Sequence, residues 1–179
     1  MKVLISKDVF DESKDKRGKL ELNFLVYLIT IKTCYELLID DSDVLSSDYI
    51  KEMSDNEARI FELAFTQTMT SSAKCDCQIS RAGEKETKKK IFTREEAIIY
   101  LLQPLSLLLE NSVNDAHFLR ALFKLYATQE NLKTAEQNNE LQFVNAGGCT
   151  NVERFIKAQV IHYNGKIKFL RYWVLLDGD

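Results

Sequence analysis

The chain is short of features that would settle its class at once. No apolar run approaches the roughly 20 residues of a membrane-spanning helix. The longest, Leu22 to Ile31, is followed by Lys32 and Glu36. The N-terminal stretch Met1-Lys2-Val3-Leu4-Ile5-Ser6-Lys7-Asp8 is too short in apolar residues for a signal peptide. The four cysteines, Cys34, Cys75, Cys77 and Cys149, have no paired spacing. Cys75-Asp76-Cys77 lacks the two-residue gap of a zinc knuckle and has no histidine near it. Free thiols in a reducing cytoplasm follow. There is no nucleophile elbow and no Cys/His signature, which argues against a serine or cysteine hydrolase. A large excess of one charge is missing too. With 24 Lys and Arg against 27 Asp and Glu, the formal net charge is −3. That balance gives no reason for indiscriminate nucleic-acid binding, and it leaves a specific nucleic-acid substrate open.

What is present suits a soluble, cytoplasmic α/β protein. The chain is 45% apolar and 28% charged, and its 179 residues fit one medium domain or two small ones. Residues 11–21 read as a charged loop. Leu22 to Ile39 reads as a buried helix, with a strand as the alternative for Phe24 to Ile31. Ser54-Asp55-Asn56-Glu57 is a capping box. The helix it opens carries Ala58, Phe61, Ala64, Phe65 and Met69 at helical spacing. Residues 71–90 are small, polar and basic, ending in Lys88-Lys89-Lys90. They read as an exposed linker closing a mainly helical N-terminal region, 1–90. Whether the lysine run touches nucleic acid is open, and a solvated linker is the simpler reading.

A parallel α/β domain is expected over 91–179. Thr93-Arg94-Glu95-Glu96 is a second capping box, and its helix ends at the only proline, Pro104. Three apolar runs follow. Leu105-Ser106-Leu107-Leu108-Leu109 ends in Glu110. Leu141-Gln142-Phe143-Val144 ends in Asn145-Ala146-Gly147-Gly148. Tyr172-Trp173-Val174-Leu175-Leu176 ends in Asp177-Gly178-Asp179. Each has the length and content of a buried parallel strand. Helices are expected near 114–126 and 151–161, giving a β-α-β-α-β order with right-handed crossovers.

The strand ends carry the chemistry. Ligands of open α/β sheets bind outside the carboxyl ends of the strands, and hard cations such as Mg²⁺ take oxygen ligands. Glu110 ends an otherwise apolar strand, where a carboxylate is costly unless solvated or bound. It is a candidate general base or metal ligand, against the alternative of an exposed loop residue. Asp177 and Asp179 flank a glycine and can both reach one cation, against the alternative of an ordinary Asp-Gly turn. Asp115 is a further candidate ligand, but it also fits the capping pattern Ser112-Val113-Asn114-Asp115. Gly147 and Gly148 suit a tight turn at which a phosphate could approach backbone N–H groups, and a purely structural turn explains them equally well.

Glu110 followed by Asn111-Ser112-Val113-Asn114-Asp115-Ala116-His117-Phe118-Leu119 resembles the first motif of Toprim domains. Phe143-Val144-Asn145-Ala146-Gly147-Gly148 resembles their second strand and glycine turn. Val174-Leu175-Leu176-Asp177-Gly178-Asp179 is similar to their third strand with its Asp-x-Asp signature. The resemblance covers about 104–179. It departs at Asn111, where the family has glycine, and at Asp179, past which a Toprim domain continues. That implies an absent C-terminal part.

The resemblance implies a Toprim-like parallel sheet with flanking helices and a nuclease that uses Mg²⁺ or Mn²⁺. Glu110 would be catalytic base or ligand, with Asp177, Asp179 and Asp115 as metal ligands. In nucleases of the overcoming-lysogenization-defect type an aspartate at the place of Asp115 joins the metal site. The zinc ribbon of primases and the tyrosine-bearing domain of topoisomerases are not evident. The helical extension resembles anti-phage Toprim nucleases, whose companions would be a DNA or RNA substrate and a partner ATPase or a homo-oligomer. The alternative is a non-catalytic Toprim-like interaction module acting through a partner protein.

Overall fold

The computed structural model describes residues 1–13, 15–32, 34–70, 74–83, 90–111, 113–126, 129–164, 166–167 and 169–175. Lys88, Lys89, Ser112, Asp177 and Asp179 lie outside them. The protein is α/β, with parallel sheets flanked by helices. It forms two compact units, Met1–Leu101 and Leu102–Asp179.

The first unit contains a sheet that its sequence pattern had hidden. Helices dominate by length, but they flank β1 (Lys2–Ile5), β2 (Glu36–Leu38), β3 (Cys77–Ile79) and β4 (Ile91–Phe92). All pairings are parallel, in the order β2-β1-β3-β4. Val3 and Ile5 are wholly buried, as a central strand covered on both faces requires. Strands of two to four residues carry too little periodic signal to read, and they hold only through their neighbours. The long helix expected at 22–39 is therefore two elements. Helix α1 (Lys7–Glu12) leads to α2 (Lys16–Ile31), which ends where Lys32 turns extended. The next residues join the sheet, with Glu36 N–H donating to Met1 O at 3.0 Å.

A 3₁₀ turn (Ser42–Ser46), α3 (Asp48–Lys51) and α4 (Asp55–Thr70) follow. The glutamate arm of the Ser54–Glu57 box forms, with Ser54 N–H and Oγ both donating to Glu57 Oε2 at 3.0 and 2.6 Å. These bonds hold the Glu57 carboxyl below the usual range. The Thr93–Glu96 box forms reciprocally and starts α5 (Arg94–Leu102). The sequence suggested a division at residue 90, but residues 91–101 belong to the first unit. Phe92 stands in register with Ile79, and the Tyr35 hydroxyl donates to Leu101 O at 2.8 Å.

The second unit follows the expected order. It runs through β5 (Leu105–Leu109), α6 (Asn114–Tyr126), α7 (Gln129–Gln137), β6 (Leu141–Asn145), a 3₁₀ turn (Cys149–Asn151), α8 (Val152–His162) and β7 (Tyr172–Leu175). The sheet is parallel with order β6-β5-β7. Leu107, Leu109, Ala116 and Leu141 form its core, with Leu105, Leu119, Ala135 and Phe143 packed around them. Full burial of a side chain such as Leu108 or Leu109 contributes about 1.5–3 kcal/mol. On α6, Phe118 is 64% exposed, and Ala116 and Leu119 meet the core.

Candidate functional site: the carboxyl edge of the second sheet

The three strands of this sheet end level. Leu109 stands opposite Asn145 on one side and Leu175 on the other. The next residues in sequence are Glu110, the Ala146-Gly147-Gly148 turn, and Leu176-Asp177. With the first strand in the middle, the chain winds outward from β5 in both directions. The carboxyl ends beside that reversal are where open α/β sheets take ligands.

Glu110 is half-buried at the end of the central strand. Among the described residues its carboxylate has no hydrogen-bond or ion-pair partner. A Cβ built on Gly148 would lie 3.9 Å from Glu110 Oε1, so the carboxylate sits over the glycine turn.

The turn itself is built by side chains that the sequence reading passed over. Gly147 and Gly148 have φ of +74° and +97°, which a residue with a Cβ adopts only with strain. Gly147 N–H donates to Asn145 Oδ1 at 2.8 Å, and Asn151 Nδ2 donates to Gly147 O at 2.6 Å. Ala146 N–H donates to Leu109 O. The Gly147 N–H, expected to be open to a phosphate, is thus spent within the protein. The Asn-x-Gly spacing at 145–147 was a legible signal for such an Asx turn.

Asp115 is engaged as a cap. Its Oδ2 accepts from Asn111 N–H at 2.7 Å, while Asn111 Oδ1 accepts from Val113 N–H at 3.1 Å and Asn114 N–H at 3.2 Å. The capping residue is therefore Asn111, one position before the serine of the expected box. This gives Asn111 a structural role. His117 is exposed on the next turn.

Glu110 is a single carboxylate of the kind that hard cations take as an oxygen ligand. Among the described residues no group of three or more His, Cys, Asp or Glu side chains is arranged to hold a metal. Glu110 and Asp115 are the parts of the expected set that fall within them, and Asp177 and Asp179 lie outside. Compared with protein-family models, curated proteins and solved structures, the chain matches none. No described helix is long and apolar enough to cross a membrane.

The first unit has a different kind of opening. A cavity of about 600 Å³ is lined by Lys7, Asp11, Lys19, Asp43, Ser46 and Glu52, among others. Its ammonium groups already have carboxylate partners. Lys7 pairs with Asp43 and with Asp41, and Lys19 pairs with Glu52 at 2.5 Å. Hydrogen bonding to Asp43 holds the Lys7 ammonium above its usual pKa.

Proposed function

We propose that the second unit is a Toprim-like nuclease domain that cleaves nucleic-acid phosphodiester bonds with a divalent cation. The observation that carries this reading is Glu110, a half-buried carboxylate without a partner among the described residues, at the end of the central strand of a parallel sheet. The order of the surrounding pieces supports it: glutamate after the first strand, glycine turn after the second, Asp-x-Asp after the third.

In this reading Glu110 binds the cation or takes a proton from the attacking water. Asp177 and Asp179 are the companion ligands, and Asp115 steadies the chain after Glu110 by capping α6. A bound Mg²⁺ or Mn²⁺ would supply charge stabilisation and a more acidic water at the scissile phosphate. The asparagines at 145 and 151 hold the turn that faces Glu110. Action within an anti-phage system, with a partner ATPase, extends the same family resemblance and rests on analogy.

The second reading is a non-catalytic interaction module. The exposure of Trp173 (65%), Val174 and Leu175 along β7 favours it, because an apolar edge strand offers unpaired backbone and side chains to another protein. The deciding experiment incubates the chain with plasmid DNA, single-stranded DNA and total tRNA, with and without Mg²⁺ or Mn²⁺, beside Glu110→Gln. Metal-dependent cleavage that Glu110→Gln loses supports the nuclease. Absence of cleavage of every substrate under every condition moves the assignment to the interaction module.

A further inference from the structure

Among the described residues three polar side chains are buried, Ser13, Gln103 and Ser106. Ser13 belongs to the first unit, where its hydroxyl donates to Val9 O at 2.7 Å. The other two stand at the amino end of the second sheet, away from Glu110. Gln103 Nε2 donates to Phe169 O at 3.3 Å, and the Gln103 carbonyl accepts from Arg171 Nη1 at 2.9 Å. Ser106 is 2% exposed and interrupts the leucines of the central strand. A buried hydroxyl costs free energy unless it is hydrogen-bonded. The best-attested use of such a group is to fix a register.

The partners of Ser106 are the residues that face it. It stands opposite Gln142 of β6 on one side and Tyr172 of β7 on the other. Gln142 Nε2 donates to Ser106 Oγ at 2.7 Å, and the Tyr172 hydroxyl shares a hydrogen bond with the Ser106 side chain. One buried hydroxyl thus joins all three strands.

Apolar patterning alone does not fix these pairings. A slide of one residue turns every side chain to the opposite face, which burial forbids. A slide of two keeps the faces. After it, Tyr-Trp-Val-Leu of β7 would still set apolar side chains beside Leu107, Leu108 and Leu109. Ser106 would lose both partners, because two places on stand Val144 and Val174. In the other direction Leu170 would face it from β7. On β6 that slide would break the bond from Glu140 N–H to Ala135 O, 2.7 Å, which ties the strand to α7. A strand rises about 3.3 Å per residue, so a two-residue slide moves its end by about 6–7 Å. That distance would carry the Gly147-Gly148 turn off the Glu110 carboxylate, now 3.9 Å from the Cβ position of Gly148.

We propose that Ser106 is a positioning residue for the carboxyl edge. By bonding Gln142 and Tyr172 it fixes the register of both flanking strands and keeps their ends level with Glu110. The register stands on these bonds alone, and its effect on cleavage rests on the nuclease reading.

The test compares NMR spectra of the metal-free full chain as wild type, Ser106→Ala, Gln142→Met, Tyr172→Phe and Ser106→Thr. In wild type, cross-strand contacts pair Leu107 with Phe143 and with Trp173. Ser106→Ala adds contacts offset by two residues and speeds amide exchange in β6 and β7 at least about tenfold, with β1 unchanged. Gln142→Met loosens β6 alone and Tyr172→Phe loosens β7 alone, while Ser106→Thr, which keeps the hydroxyl, retains the wild-type register. A single register with unchanged exchange in Ser106→Ala overturns the proposal. So does a Tyr172→Phe chain in which β6 loosens as much as β7. Cleavage is assayed on the same samples, and Ser106→Ala lowers kcat at least about tenfold at unchanged KM, because misplaced groups lose rate rather than binding. Full cleavage by a Ser106→Ala chain with a slipped register overturns the positioning role. A wild type that cleaves nothing overturns the nuclease reading alone, and the NMR contacts still decide the register.

Discussion

The two units begin with the same winding and finish their strands differently. In each, the first strand lies in the middle, the second on one side and the third on the other, β2-β1-β3 and β6-β5-β7. The carboxyl edge of the first sheet is satisfied by the unit's own groups. Ser6 N–H donates to Ile79 O, and Asp8 Oδ2 accepts from Arg81 N–H at 2.9 Å. Lys7 is held by Asp41 and Asp43. Nearby, Arg94 donates to Ser13 Oγ at 2.8 Å and Gly18 O at 3.3 Å, and pairs with Glu21 at 3.7 Å. The second edge satisfies its backbone turn but leaves the Glu110 carboxylate over Gly148 without a described partner. One winding thus yields an edge neutralised from within and an edge with a carboxylate to spare. The chemistry follows from the side chains at the strand ends, and the winding only brings them level.

That contrast can be broken most sharply at its two glutamates. On the nuclease reading proposed above, Glu110→Gln lowers metal-dependent cleavage at least about 100-fold, as loss of an acid–base group or ligand would, with an unchanged melting temperature. Glu12→Gln, at a carboxylate that Arg81 holds at 3.2 Å, should do the opposite, lowering the melting temperature and sparing cleavage. A melting temperature that falls as much for Glu110→Gln as for Glu12→Gln would erase the distinction.

Removing the buried centre of the second sheet with Leu108→Ala should cost about 2–5 kcal/mol of stability in urea titration. A loss below 1 kcal/mol would mean that β5 is not the central packed strand. Arg94→Met should cost about 1–3 kcal/mol by leaving Ser13, the Gly18 carbonyl and Glu21 short of a donor. If stability stays level, the first edge does not depend on its internal pairs. Gly148→Ala should cost about 1–2 kcal/mol for an alanine at positive φ, and cleavage should fall with it because the turn faces Glu110.

The smallest expected effect concerns Glu57, whose pKa is depressed by Ser54. A depressed carboxyl stabilises the fold above its unfolded pKa, and that contribution fades as pH falls through the lower folded value. The gap in melting temperature between wild type and Glu57→Gln should therefore be present at neutral pH and close in acid. A gap that widens in acid would reverse the sign.

How much was legible differs between the units for a physical reason. In the second, strands of four or five residues alternate with long helices, and Pro104, Glu110 and Gly147-Gly148 punctuate them. Order and strand ends could be read there directly. In the first, β2, β3 and β4 span two or three residues each, too few for a period to register, and β2 was absorbed into the helix before it. The cap at Asn111 was misread by one position because Asn, Ser and Asp all cap helices and crowd together at 111–115.

The sequence by itself determined the α/β class, the Thr93–Glu96 capping box, the glutamate arm at Ser54–Glu57 and the glutamate that follows β5, because these rest on local periodicity and on bonds between near neighbours. Only the tertiary structure decided that β4 and α5 belong with the first sheet, that Asp115 is engaged by Asn111, and that Glu110 sits over Gly148. Pairing between strands far apart in the chain is set by which edges and faces meet in three dimensions, and that is not written in any short stretch of residues.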